Sequence, residues 1–126
     1  MKNEDLPIFD AAILRQRLQV YDEAFLSEMY EAFLTQVADM KSVLVKLEKE
    51  SITDYREVLS CCHRIKSSSL AVGALRLADF LQLTEDAINK HSPDISSYFF
   101  VIQLLSDYTD TAVRKELVRI DNRSSA

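Results

Sequence analysis

The sequence predicts an all-α protein: an antiparallel up-down-up-down four-helix bundle with a short N-terminal capping helix. Three observations carry that expectation. Apolar residues recur at gaps of three and four along four long segments, which is the period of a helix face. One Gly and two Pro in 126 residues are too few to turn the hairpins of a multi-stranded sheet. Capping residues fall where those segments begin and end. The whole chain, residues 1–126, reads as one domain, long enough to enclose one core and without internal repeats or a low-complexity linker.

Leu6-Pro7-Ile8 is an extended lead-in. Asp10 can cap a first helix over about residues 11–20, with Phe9 and Leu14 at the spacing of a hydrophobic staple. Asp22 repeats the device with Tyr21 and Leu26. A second helix then runs to about residue 50 along Leu26, Met29, Phe33, Val37, Met40, Leu44 and Leu47. Lys41, Lys46 and Lys49 lie toward its C-terminus, where cations complement the dipole. Ser51 or Thr53 can cap a third helix whose buried row is Tyr55, Val58, Cys62, Ile65, Ser69 and Val72. Gly73, the sole glycine, stands where a left-handed residue would end it. A fourth helix spans about residues 74–89, with Ala74, Leu77, Ala78, Leu81 and Ile88 inward. Ser92-Pro93 reads as a cap followed by proline at the first position of a fifth helix, about residues 93–120. Its inward row is Ile95, Phe99, Ile102, Leu105, Thr109, Ala112 and Glu116, and Phe100 beside that row is expected to be partly exposed. Residues 121–126 are polar and expected to fray.

Composition excludes several function classes. Apolar residues at 48% and charged residues at 28% describe a globular chain rather than a disordered one. A net charge of -5 argues against a surface built to neutralise nucleic-acid phosphates. No run approaches the ~18 apolar residues of a membrane span, and MKNEDLP does not read as a secretory signal. Cys61 and Cys62 are adjacent, point about 100° apart on a helix, and cannot easily bridge. The expected compartment is the cytoplasm, with no nucleic-acid and no membrane contact.

One constellation could carry chemistry: His63-Arg64-Ile65-Lys66-Ser67-Ser68-Ser69-Leu70-Ala71-Val72-Gly73. His63 falls about 100° from Cys62 and away from Ile65, at the edge of the buried face where a partner can reach it. Lys66 and Ser67 are three and four residues on, so they neighbour the ring, and Leu59, Ser60 and Leu70 complete its surroundings. A neutral imidazole nitrogen is a nucleophile, and an ammonium one turn away offsets charge on phosphoryl oxygens. Taken alone, a histidine beside a lysine on a helix is more often a solvated pair than a site.

The run H-x-x-K-[small]-S-S-x-x-x-G-A, carried by His63, Lys66, Ser67, Ser68, Ser69, Gly73 and Ala74, resembles the motif of histidine-containing phosphotransfer (Hpt) domains. Phe9-Asp10 with Leu14 and Leu18, the segment from Phe25-Leu26 to Phe33-Leu34, and Leu77 through Glu85 are similar to the family's other helices. The resemblance implies a phosphorelay intermediate in two-component signal transduction. His63 would accept a phosphoryl group from an aspartyl-phosphate receiver domain, in line, and pass it to a second receiver domain. Lys66 would stabilise the phosphoryl group, and Glu85 matches a family position near the histidine. Leu59, Ser60, Arg64, Ser67, Leu70 and Arg56 would form the docking surface, with Gly73 structural. Arg56, Arg64 and Lys66 would form a basic patch that steers toward an acidic partner pocket. The implied partners are receiver domains of a hybrid sensor kinase and of a response regulator. They would supply the magnesium ion; the chain would need no cofactor or metal of its own, lack autokinase activity and be a monomer. The chain departs from the family at Ser67, where glycine is usual; serine is still small enough for docking.

Rival readings rest on less. A helical adaptor that docks signalling partners through its second and third helices without phosphotransfer would need neither His63 nor Lys66. A zinc site wants ligands at i and i+3 or i+4, whereas Cys61, Cys62 and His63 are consecutive and His91 falls in a loop. Cys62 reads as a small buried apolar residue rather than a redox switch. A single glycine cannot build a phosphate loop, which argues against an ATP-binding kinase. Glu48 and Glu50 lie on a polar face and read as solubilising rather than acid–base groups.

Overall fold

The computed structural model describes residues 2–18 and 22–124. A short 3-10 turn, Asn3–Asp5, precedes five helices: α1 (Ala12–Leu18), α2 (Glu23–Glu50), α3 (Arg56–Val72), α4 (Leu75–Asn89) and α5 (Ile95–Ser124). No strand occurs among the described residues. Helix α2 packs on α3 and α5, and α4 packs on the same two, so α2 to α5 form a closed ring with α3 and α5 on one diagonal. Short connections make neighbours antiparallel. Helix α1 rests against α3.

Each helix buries the face its apolar period marks. In α2, Leu26, Phe33, Val37, Met40, Leu44 and Leu47 are buried and Met29 is half-buried; Tyr30 and Leu34 are buried as well, because α2 is wedged between two helices and needs a wider stripe. In α3, Val58, Cys62, Ile65, Ser69 and Val72 are buried, and so is Cys61. Tyr55 is half-buried and meets Phe99 edge to face at 5.5 Å. Helix α4 buries Leu77, Ala78, Leu81, Thr84, Ala87 and Ile88. Helix α5 buries Ile95, Phe99, Ile102, Leu105, Thr109 and Glu116, leaves Ala112 half-buried, and adds Val113 and Ile120.

The helix ends hold both agreements and corrections. Asp22 caps α2 by accepting from Ala24 and Phe25 N–H, and Asp10 accepts from Ala12 N–H at 3.0 Å. The expected end of the first helix and the Tyr21 staple lie outside the described residues. Neither Ser51 nor Thr53 caps α3. Ser51 is the left-handed residue that closes α2 (φ 51°), and the Asp54 carboxylate takes the Arg56 N–H at 3.1 Å instead. Helix α5 starts at Ile95, two residues after Pro93. His91 adopts φ 54° and Ser92 N–H returns to Ala87 C=O, so Ser92 is absorbed into the α4 C-terminus and hydrogen-bonds Asp94. At the other end α5 continues through Ser124, into the tail expected to fray.

Gly73 ends α3 at φ 97°, where Gly73 and Ala74 N–H both reach Ser69 C=O. A side chain here would be strained twice, since a Cβ would collide with the Asp10 carbonyl oxygen. The lead-in is anchored at the same end: Asp10 N–H donates to Gly73 C=O at 2.9 Å, and Arg76 donates to Leu6 and Glu4 carbonyls. At the opposite end of α1, Arg15 bridges Glu23 of α2 (3.0 Å) and buried Glu116 of α5 (3.5 Å).

Candidate functional site

The site is assembled from two turns of α3 and one of α4. Burial of Cys62, Ile65 and Ser69 fixes the rotation of α3, and this turns His63 outward with 76% of its side chain exposed. Beside it on α4, the burial of Leu81, Thr84 and Ile88 sets Glu85 at the α3–α4 seam, where only 13% of its side chain is exposed. Glu85 faces α3 with both oxygens. Oε2 lies 3.3 Å from Lys66 Nζ, and Oε1 lies 3.8 Å from His63 Nδ1. Oε1 is buried and accepts no hydrogen bond, and the ring edge of His63 stands 3.8 Å from it.

Lys66 is held rather than free. Its ammonium donates to Gln82 Oε1 at 2.6 Å as well as to Glu85, and Gln82 in turn donates to Asp86 at 3.0 Å. A lysine one helical turn from His63 is thereby fixed beside the imidazole with 19% of its side chain exposed. An Nδ1–H tautomer would point its proton at Glu85 and leave the Nε2 lone pair facing solvent. The arrangement can therefore present an oriented nucleophile backed by an anion and flanked by a cation.

Arg56, Leu59, Ser60, His63, Ser67 and Leu70 follow one another at helical spacing along α3, and the structure brings them into one outward stripe. Arg56, Ser60, Ser67 and Leu70 are exposed; Leu59 is half-buried and opens onto a groove of about 520 Å3 shared with His91 and Pro93. The expected basic patch is weaker than its composition suggests. Lys66 is spent on Glu85 and Gln82. Arg56 folds onto Asp54 at 2.7 Å, which holds that carboxylate at a pKa of about 2, and Arg64 turns toward Cys61 Sγ at 3.7 Å. Sequence reading missed Gln82 and Asp54 as partners of these cations, and Asp86 as the acceptor behind Gln82. Gln82 and Glu85 stand three apart on α4, a spacing that marks one face, but nothing local pairs that face with Lys66.

A family comparison bears directly on this stripe. The Hpt domain family model matches residues 26–122, which include all of α3 and α4 and most of α2 and α5. The chain belongs to the Hpt domain family. No curated protein and no solved structure matches it. Hpt domains are phosphotransfer carriers of two-component signalling that interact with response-regulator receiver domains. In this Hpt domain the match covers His63, Lys66 and Glu85 together.

The remaining candidates fall away from the site. Both cysteines are unbridged and buried, and burial pushes the Cys62 thiol up to about 12 and raises Cys61 too. His91 is exposed in the α4–α5 connection. No group of three or more His, Cys, Asp or Glu could hold a metal ion among the described residues, and no described helix is long and apolar enough to cross a membrane.

Proposed function

We propose that this Hpt domain is a relay intermediate that takes a phosphoryl group on His63 from the aspartyl phosphate of one receiver domain and yields it to the aspartate of another. The single observation that carries the reading is the exposed His63 ring with Glu85 at its Nδ1 edge and Lys66 fixed beside it. Nε2 would attack phosphorus in line; the N–P bond forms as the P–O bond to the aspartyl carboxylate breaks, and that carboxylate leaves with the electron pair. The ring then carries Nδ1–H and a positive charge, which the Glu85 carboxylate offsets. Return of the group reverses these events with a second receiver's carboxylate as nucleophile.

Within this reading Lys66 offsets charge on the phosphoryl oxygens. Leu59, Ser60, Ser67, Leu70, Arg56 and Arg64 form the floor on which a receiver docks, and small Ser67 leaves room for its active-site loops. The donors and acceptors are receivers of a hybrid sensor kinase and of a response regulator. They bring the acidic pocket and the magnesium ion, because Glu85, the carboxylate beside His63, is already engaged by Lys66. The chain needs no ATP site, being a carrier rather than a kinase, and we assign its work to the cytoplasm, where such receivers operate.

Incubation with a panel of phosphorylated receiver domains tests the proposal. The expected product is acid-labile, alkali-stable phosphate on one histidine, absent from His63→Ala, whose helix content stays that of the parent. Equal labelling of the parent and of His63→Ala would refute the assignment.

A further inference from the structure

Eight large apolar side chains are exposed among the described residues, and four of them share one helix: Phe100 (66%), Leu104 (42%), Tyr108 (56%) and Val118 (58%), all on α5. At about 100° per residue they fall, with Asp107, Thr111 and Lys115, within one strip of the helix surface. Every residue of that strip is exposed. The strip spans about 27 Å between Phe100 and Val118 at 1.5 Å per residue. Helix α5 packs on α2 and α4 with its inner side, so this strip points away from α3, which lies across the bundle. A strip of about five turns that leaves four large apolar side chains exposed marks an interaction surface.

The order of residues along the strip identifies the occupant. Reverse the helix about Thr111, and Leu104 falls opposite Val118, while Asp107 falls opposite Lys115. Apolar meets apolar and anion meets cation, twice over, with small Thr111 on the axis. These central pairs follow the rule of a two-fold, isologous contact, in which each residue must suit its counterpart; Tyr108 then faces Arg114, a cation over an aromatic ring, and Phe100 lies at the edge of the contact opposite Asn122. Asp107 also holds Lys41 of α2, yet 62% of its side chain stays exposed and can serve a second cation. We infer that the outer face of α5 is a homodimer interface in which two copies pair antiparallel about Thr111. Both His63 stripes remain open in that dimer because they lie on the far side of the ring. The inference goes beyond the relay reading and stands apart from it, and it departs from the monomer expected from sequence.

Sedimentation of the full chain from about 1 μM to about 1 mM tests it, because a helix face of this size gives a concentration-dependent dimer rather than a permanent one. The expected result is a monomer at the low end and a dimer at the high end. Leu104→Glu should leave a monomer throughout with unchanged helix content, and Val118→Glu should do the same if Leu104→Glu lowers helicity. Lys115→Asp should raise the dissociation constant at least about tenfold. Combining it with Asp107→Lys and Lys41→Glu, which exchanges the intermolecular pair and keeps an ion pair with α2, should restore most of the parent's association. A monomer at every concentration, a dimer indifferent to both glutamate variants, or failure of the exchange to restore association would overturn the proposal. Phosphoryl acceptance by His63 in the monomeric variants separates this outcome from that of the relay reading.

Discussion

Glu85 Oε1 lies 3.8 Å from His63 Nδ1, buried and without a hydrogen-bond donor, while its partner oxygen takes the Lys66 ammonium at 3.3 Å. The distance is too long for a hydrogen bond, so the two groups interact through space as charge and dipole. One carboxylate thus links the imidazole and the ammonium.

Glu85→Gln tests this link. It keeps the shape and an acceptor but removes the charge that offsets the imidazolium formed on phosphorylation. Phosphoryl acceptance from a receiver should slow on the order of tenfold, about 1.4 kcal/mol in the barrier, with the thermal midpoint nearly unchanged. An unaltered rate would show that the carboxylate only anchors Lys66.

Lys66→Ala should slow transfer and shorten the lifetime of the phosphorylated form. It also strips Glu85 of its cation, so a loss of about 1–2 kcal/mol is expected in urea unfolding, smaller than for a fully buried pair. The helical circular dichroism should persist.

Replacing Gly73 with Ala should be costly despite the added helix propensity. The left-handed backbone and the collision with the Asp10 carbonyl together should remove about 2 kcal/mol or more from the unfolding free energy. His63 would still accept phosphate in the folded fraction, which distinguishes damage to the fold from damage to the site.

Alkaline pH should weaken the fold through Cys62. Burial holds its thiol near 12 in the folded chain against 9.0 unfolded, so the native state binds more protons between these values and stability falls as pH rises above about 9. The slope from one group is at most about 1.4 kcal/mol per pH unit. Tyr30, raised to about 12 by burial, adds a second loss above pH 10. Urea midpoints measured from pH 7 to pH 10.5 should decline, and Cys62→Ala should flatten the first part of that decline. In the same native range both thiols should resist thiol reagents until the chain is unfolded.

The rows of apolar residues made the helices legible, because a 3.6-residue period and its caps are local properties. Asp22 and Gly73 could be assigned for the same reason. Local signals misled where two devices competed for one residue: Ser51 and Ser92 resemble N-caps but are used by the preceding helices, and Asp54 does the capping ahead of α3. The position of His63 followed from its buried neighbours. What surrounds it did not, since Lys66 is 19 residues from Glu85 and 16 from Gln82, and their meeting depends on how α3 and α4 pack. For the same reason Lys66 looked free until Glu85 was seen beside it, whereas Arg56 and Arg64 turn to the local partners Asp54 and Cys61.

The Gly73–Asp10 contact carries a practical consequence for anyone cutting this protein down. The family match opens at residue 26, yet the turn that ends α3 exchanges backbone contact with Asp10, and Arg76 grips the carbonyls of Glu4 and Leu6. A fragment limited to the matched stretch would expose the Gly73 carbonyl, strip Arg76 of its acceptors and remove Arg15, which with Arg119 pairs the buried Glu116. The lead-in and α1 therefore behave as a clasp that a fragment limited to residues 26–122 would lack.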